Sequence, residues 1–552
     1  MHRFLLLGIF AASALQAQSP FIYYRGVVNV ASYMPPSLPS GAIAQGAQFS
    51  IFGSNLGPAT FPPLAFPLST TLAGVSISVT QGTVTVAAIP VFVSPGQINA
   101  IMPSNTPLGQ VSLRVTYNNF KSNPVPVTIA QSAFGIFTAT GTGQGPGSIE
   151  NYSATALPLN ALNAPAQPGQ LEILYGVGLG AALSPDNSQP VTGNLPTQTE
   201  VFVGGISATI GYSGRASCCS GIDQINFTVP MNAPTGCWVP VAVRTQGAIV
   251  SNHVTIAISP NSSCSEPTNP LATALLSGGP QASFFAARFS TRHDVNTVSA
   301  LESMADYSGG VFFQQQTYPY NFNPYLSLPP AGSCTSYSIS AYTPNDVPHL
   351  TNIMATLKGL DPGVLSVASP GPAPINLPAA NFPGWINGYL GGSIPLLSQL
   401  PSTLFLNTGA FTLAAAGGAD IPAFNVPFTM PAAFTWTNRN NLSTINRTQA
   451  LPLSWSGVAA NYTVLIAGLA VDIPNNTTSG FICTAHPTDT SFTVPAVVLA
   501  NLPAQHTRAS QSLGVIYVAE MPLSNPTAFA AGNVSSGTLM PAQVLGKSVA
   551  FQ

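Results

Sequence analysis

The chain has 552 residues, with 13 Lys and Arg against 15 Asp and Glu, so only 5% of it is charged and the net charge is −2. Soluble domains carry roughly 25% charge, and a chain this neutral offers no field to attract nucleic acid or anionic lipid. Its 53 Pro and 49 Gly would suit disorder, but 45% hydrophobic residues argue for real cores; the length calls for three or four domains, and short strands joined by Gly/Pro turns reconcile the two facts.

The chain opens with Met1-His2-Arg3, an apolar run from Phe4 to Ala14, then Leu15-Gln16-Ala17. A basic start, a short apolar stretch and a small residue predict a signal peptide over residues 1–17, cleaved after Ala17. The apolar run is too short for a bilayer, which needs about 20 residues. No Cys precedes Cys218, which argues against a lipid-anchored cysteine at a processed N-terminus, and no later stretch holds 18 uninterrupted apolar residues. The expectation is an exported chain without a transmembrane segment, placed outside the cell, on its surface or in a periplasm.

Two units follow, at 26–131 and 132–264. GQINAIMPSNTPLG (96–109) returns as DQINFTVPMNAPTG (223–236), with Gln97, Asn99, Pro103, Asn105, Pro107 and Gly109 each recurring 127 positions later. GAQFSIFGSNLGPA (46–59) likewise aligns with GQLEILYGVGLGAA (169–182), VSLRVTY (111–117) with VPVAVRT (239–245), and SNPVPVTIA (122–130) with SNHVTIAIS (251–259). Each unit therefore offers at least five short alternating strands in about 100 residues, which predicts a small β-sandwich. Within the repeat, Ile98 and Met102 share one strand face, as do Ile225 and Val229. Pro103 and Pro230 end the strand because proline donates no ladder hydrogen bond. The recurring Gln and Asn are expected to bond nearby backbone rather than a ligand. Gly176-Val177-Gly178-Leu179-Gly180 looks like a dinucleotide-binding turn, but no βαβ pattern follows it, so it reads as a β-turn.

Six cysteines fall at 218, 219, 237, 264, 334 and 483. An even count in an exported chain points to disulfides, and no C-x₂-C pair or His pair suggests zinc. A disulfide prefers Cα atoms about 4.4–6.8 Å apart, so neighbours Cys218 and Cys219 are expected to pair separately with Cys237 and Cys264, in an order the sequence leaves open. Elimination then pairs Cys334 with Cys483.

GSNLGPA, SPGQINAIMP, GTGQGPGSIENY (141–152) and CCSGIDQINFTVPMNAPTGCWVPV (218–241) together resemble a family of uncharacterised exported acidobacterial proteins that carry the Solibacter-type domain. AGSCTSYSI (331–339), FTWTNRNNLSTINRTQALPLSWSG (434–457) and FICTAHPTDTSFTVPAVVLANLP (481–503) extend the resemblance into the C-terminal half. It implies immunoglobulin-like units of the IPT/TIG type and supplies no catalytic residues. The first unit departs from the second in lacking its cysteines.

Residues 265–281, rich in Pro, Ser and Gly, read as a linker. Strand-like segments at 284–290, 309–316, 353–368, 402–416 and 423–430 predict a third sandwich over 282–435. Those at 451–457, 462–471, 481–485, 491–495 and 512–521 predict a fourth over 436–552. Ala496–Asn501 lacks Gly and Pro and suits one helical turn, and SALESMAD (299–306) has some helical periodicity. The overall expectation is all-β: tandem immunoglobulin-like sandwiches with very little helix.

Chemistry-bearing residues are sparse. Arg292-His293-Asp294 is the densest polar cluster and reads as a solvated turn; Glu302 and Asp306 read as a surface pair. Acids are too scattered for a calcium loop, and no G-x-S-x-G, H-E-x-x-H or P-loop occurs. The remaining candidate is TYPYNFNPYLSLPP (317–330), where Tyr318, Tyr320 and Phe322 alternate with amides and Tyr325 follows. Aromatic faces beside amide side chains suit sugar rings, but residues two apart share one strand face, and the spacing favours inward packing over a ligand. The expected role is therefore non-catalytic: adhesion, contact with surface or matrix glycans or proteins, or a structural part, with no cofactor and no metal. The alternative is an exported polysaccharide-acting enzyme with accessory sandwiches, which would need two carboxylates about 5–9.5 Å apart.

Overall fold

The computed structural model describes residues 19–552 except 59–64, 268, 270–271, 273–275, 277, 295–299, 316–317, 324–325, 341–357, 383–384, 393–403 and 505–511. The expected signal peptide and Tyr325 lie outside the described residues. Strand is the dominant secondary structure of the described residues, and a short α-helix at Ala496–Leu499 stands where the one helical turn was expected.

The first unit orders its strands as Phe21–Asn29, Gln48–Ser54, Gln97–Ile101, Val84–Val93, Val75–Gln81, Gly109–Tyr117 and Val125–Ala130. Strand Val84–Val93 serves both layers: its first half pairs with Val75–Gln81 and its second half with Gln97–Ile101. The sheet folds on itself there, and Phe49, Ile51 and Ile98 from one layer meet Ile77, Val79 and Leu113 from the other. Alternation along each strand produces this, since every second side chain points to the same face.

The second unit repeats the plan with Leu171–Val177, Asp223–Thr228, Ile206–Arg215, Thr199–Val203 and Gly236–Thr245, and Val254–Ile258 closing on the last of these. The correspondence extends to register. Phe52 faces Gln97 in the first unit and Tyr175 faces Gln224 in the second. The shared strand is interrupted by a bulge between Pro90 and Phe92, opposite Asn99, and again between Ile210 and Tyr212, opposite Asn226. A bulge bends a strand and increases its twist, so the same irregularity turns the same corner twice. Ile98, Met102, Ile225 and Val229 are all buried on the face expected of them.

The recurring amides do something other than expected. Gln97 Nε2 donates to Asn99 Oδ1 at 2.9 Å, and Gln224 Nε2 donates to Asn226 Oδ1 at 2.8 Å. They bond along the strand to each other, because residues two apart stand side by side on one face. The backbone clips come instead from the Ser-Asn pairs. Ser122 Oγ accepts from Val115 N at 3.0 Å, and Ser251 Oγ accepts from Val243 N at 3.0 Å. Asn123 accepts from Ile22 N at 2.8 Å and donates to Ile22 O at 3.0 Å; Asn252 does the same to Ile136 at the same distances.

The C-terminal half departs from the expected pair of consecutive sandwiches. One eleven-stranded sheet crosses the 435/436 boundary, running Ser333–Ser340, Thr477–Thr484, Thr463–Asp472, Ser512–Met521, Val534–Ser548, Gly279–Asp294, Ala300–Gln315, Trp385–Gly392 and Ala379–Phe382, with two short strands beside it. The joining ladder is parallel, from Gln281 opposite Ser536 to Arg292 opposite Lys547. Alternation marks a segment as strand without naming its partner, and a parallel partner lies far along the chain.

Two smaller sheets cover one face of this long sheet. The four strands Ile375–Leu377, Leu365–Ala368, Gly409–Ala415 and Phe424–Met430 pack over Phe284, Ala286, Phe312 and Leu539. The three strands Thr435–Trp436, Leu451–Ser456 and Ser491–Val494 bring Trp436 and Trp455 into the cluster of Ile466, Phe481, Ile516 and Val518. The opposite face, carrying Ala287, Val515, Tyr517 and Ala542, clusters with Cys237, Trp238 and Cys264 of the second unit.

Three local expectations change with this sheet. Residues 300–306 form strand, not helix: Ala300–Gln315 pairs along its whole length with Gly279–Asp294, and sixteen facing residues outweigh a weak helical pattern. For the same reason Arg292-His293-Asp294 ends a strand instead of making a turn. In the segment expected as a linker, Glu266, Asn269 and Ala272 are buried. Glu266 accepts the backbone N–H of Cys237, and Asn269 Nδ2 donates to Leu326 O at 3.0 Å.

Candidate functional site

The aromatic stretch near residue 320 is a strap across the second unit, not a strand. Asn321 N donates to Tyr318 O at 3.0 Å, closing a turn that places Tyr318 and Tyr320 at its crest. Leu162 N donates to Pro319 O at 3.0 Å, and the indole N–H of buried Trp238 donates to Asn321 O at 2.9 Å. Beyond the turn Phe322, Leu326 and Leu328 sink into the cluster that holds Trp238 and the Cys237–Cys264 pair.

This arrangement separates three aromatics that the spacing placed on one face. Phe322 is core and meets Tyr337 at 6.3 Å between ring centroids. Tyr318 is 55% exposed and Tyr320 half-buried, their rings edge to face with centroids 5.3 Å apart and planes at 70°. A turn was the missed signal: Pro319 and Asn321 flank Tyr320, and such residues bend a chain. The two rings stand on backbone tied to the second unit at Leu162 and Trp238, so little freedom remains to be lost when a flat ligand settles on them.

The six cysteines form three pairs: Cys218 with Cys219, Cys237 with Cys264, and Cys334 with Cys483. The separate pairing expected of Cys218 and Cys219 is thus corrected. They occupy the tip of the hairpin between Ile206–Arg215 and Asp223–Thr228, whereas Cys237 follows the far end of Asp223–Thr228, a strand length of roughly 17–20 Å away. Cys237 and Cys264 meet in the core instead, and Cys334 faces Cys483 directly across a ladder. By loop closure these two bridges contribute about 4 and about 5 kcal/mol. Paired cysteines of this kind belong to an oxidising compartment.

Where the second unit meets the C-terminal half, Ser336 N donates to Nδ1 of buried His253 at 3.1 Å. Asn501 Nδ2 donates to Ser251 O at 2.7 Å. Burial holds the His253 imidazole down to about 4, so it is neutral there. The adjoining cavity, bordered by Ser32, Asn252, His253 and Asn501, measures about 10 Å³, room for one water and no sugar. A larger groove of about 450 Å³ opens at the end of the four-stranded sheet, between Pro370, Phe411, Thr412 and Phe428. It has the volume of a small-molecule site, but none of its lining residues titrates.

The carboxylates are largely committed to structure. Glu200 pairs with Arg244 at 2.7 Å, Asp306 with Arg288 at 2.7 Å, Glu302 with Arg439 at 2.8 Å, and Asp223 with Arg215. Asp306 also accepts the N–H groups of Phe405 and Leu406, so the Glu302 and Asp306 expected on a helix surface act as separate clamps. Asp223 accepts from Gly178 N at 2.7 Å and Leu179 N at 2.8 Å, which is what the glycine-rich turn binds in place of a phosphate. Gly178 there has φ +108, a conformation that glycine adopts without strain. His293 Nδ1 lies 2.6 Å from Ser548 Oγ. Among the described residues no group of three or more His, Cys, Asp or Glu could hold a metal, and no helix is long and apolar enough to cross a membrane.

No protein-family model and no curated protein matches the chain. Among solved structures, it is similar to the SGBP-B of a Bacteroides ovatus mixed-linkage glucan utilization locus, in complex with a heptasaccharide, at 10% identity over 82% of this chain and 81% of that one, with a TM-score of 0.13. The SGBP-B of a xyloglucan utilization locus in Bacteroides uniformis aligns at 12% identity over 68% and 86%, TM-score 0.17. The Yersinia pseudotuberculosis adhesin InvE aligns at 12% over 55% and 62%, TM-score 0.12. Likeness at this level carries no function across.

Proposed function

We propose that this is an exported, non-catalytic contact protein that binds neutral polysaccharide through the Tyr318–Tyr320 crest. The observation that carries the reading is the crest itself: an edge-to-face pair of exposed Tyr318 and half-buried Tyr320 on a strap whose backbone is fastened to the second unit by hydrogen bonds. Aromatic rings offer large apolar faces with a polar hydroxyl at the rim, which suits the C–H face and hydroxyls of a pyranose. The low charge of the chain favours an uncharged ligand, and Glu200, Asp223, Glu302 and Asp306 are each engaged by an arginine rather than poised over a cleft. Membership of the Solibacter-type family, with its immunoglobulin-like units, is part of the same proposal and adds no activity to it.

The test uses the full chain on insoluble cellulose, xylan and mixed-linkage β-glucan. Tyr318→Ala/Tyr320→Ala should lower retention about tenfold, a loss of about 1.4 kcal/mol, with the circular dichroism spectrum unchanged. Retention on none of these supports, or equal retention of the double variant, overturns the proposal. Release of reducing sugar by metal-free protein would favour the polysaccharide-acting enzyme in its place.

A further inference from the structure

The three cysteine pairs are not equivalent. Cys237, Cys264, Cys334 and Cys483 are all buried, at 2%, 8%, 4% and 0% exposure. They join residues 27 and 149 positions apart and sit inside packed clusters. Cys218 is exposed, Cys219 is half-buried, and they are adjacent in sequence. A bridge between neighbours encloses no length of chain, so it removes almost no freedom from the unfolded state and cannot serve as a staple.

The loop that carries it is held by other means. At its base the buried Arg215–Asp223 ion pair joins the two strands of the hairpin, and Ala216 N donates to Ile222 O at 3.0 Å. Arg215 also donates to Gly180 O at 2.6 Å and, in the first unit, to Gly46 O at 3.0 Å. At its tip Gln48 Nε2 donates to Ser220 O at 2.7 Å and Gln48 N to Gly221 O at 3.2 Å. Gly221 lies so close to the first unit that a Cβ there would come within 2.9 Å of the Gln48 side chain. The loop is therefore fixed at both ends without its sulfurs.

From this contrast we propose that Cys218–Cys219 is a thiol-exchange site for low-molecular-weight thiols, and that the other two bridges are the structural ones. A thiolate attacks Sγ of Cys218, the more exposed residue of the pair, while the bridging bond breaks and its electron pair leaves on Cys219 Sγ, which takes a proton from water. A second thiolate then attacks the external sulfur of the mixed disulfide on Cys218, and the electron pair of the breaking bond leaves on Cys218 Sγ, which takes a proton from water. The balance is two thiols oxidised to one external disulfide and one protein disulfide reduced to two thiols. The reverse reaction with an oxidised small thiol re-forms the pair. Because Arg215, Asp223 and Gln48 hold the loop, both states keep the same fold.

The purified full chain, equilibrated in glutathione buffers of graded reduced-to-oxidised ratio, is acid-quenched and alkylated, and its cysteine peptides are quantified by mass spectrometry. Cys218 and Cys219 should be unlabelled in untreated protein and should gain label together as reduced glutathione rises. They should lose it again in oxidised glutathione, while the other four stay unlabelled and the circular dichroism spectrum stays constant. Cys218→Ala/Cys219→Ala should fold with a Tm within about 2 °C of the parent and give no labelled peptide. Label in the untreated protein, resistance at every ratio, simultaneous labelling of the buried pairs, or loss of fold on reduction would each overturn the proposal.

Discussion

Glu172 is the residue whose replacement tests the packing of the second unit most directly. It lies on the core face of Leu171–Val177, fully buried, and neither carboxyl oxygen has a hydrogen-bond partner. Register explains how it came to be there: it faces Phe227 where, in the first unit, Phe49 faces Ala100. The aromatic has changed strands, and a carboxyl fills the place it left. Burial pushes this carboxyl up from 4.5 to about 9, so it is protonated at neutral pH. Its folded value is raised, so the associated stability is complete below the unfolded value near 4.5 and is lost as pH rises toward 9. At pH 7 the unfolded chain has been ionised across about 2.5 pH units that the folded chain does not follow, which costs about 3 kcal/mol. Glu172→Gln keeps the shape and cannot ionise. It should match the parent in urea unfolding at pH 4 and exceed it by about 3 kcal/mol at pH 7. A difference that is the same at both pH values would refute the reasoning, since it would mean that Glu172 is not the group that titrates between the two states.

His253 should act in the opposite direction. Its folded value, about 4, lies below the ordinary 6.5, so its contribution is complete above pH 6.5 and is lost as pH falls toward 4; His253→Gln should flatten the acid limb of the Tm-versus-pH curve. Arg215→Met should destabilise by about 3–5 kcal/mol, because Asp223 stays buried without its countercharge, and adding Asp223→Asn should recover most of that in denaturant titration. Asn252→Ala removes two bonds to Ile136 and one to Gly143 and should cost about 1–3 kcal/mol, visible as faster hydrogen exchange at Ile136. Retention on polysaccharide should change little between low and high salt, because few charges are present to be screened; a steep salt dependence would point to a charged ligand.

Features that depend on neighbours along the chain could be read from the sequence. The alternation in VSISVTQ and FNVPFTM yields strands because a period of two sorts side chains by face wherever the strand ends up. The 127-residue repeat carried the topology of the second unit along with that of the first, down to the bulge opposite Asn99 and Asn226. Prolines after QINAIM and QINFTV ended both strands for a reason internal to proline. Tertiary structure alone decided the rest. Whether Gly279–Asp294 pairs with a near segment or with Val534–Ser548 depends on which edges remain free once the other strands have formed. Whether Tyr318 and Phe322 share a face depends on a turn tied to Leu162 and Trp238, far away in sequence. Cys218 could not be assigned its partner by a preferred Cα separation, because what mattered was which end of the sandwich each cysteine occupied. Only the folded chain places Cys237 beside Cys264 in the core and leaves Cys218 and Cys219 together at a hairpin tip.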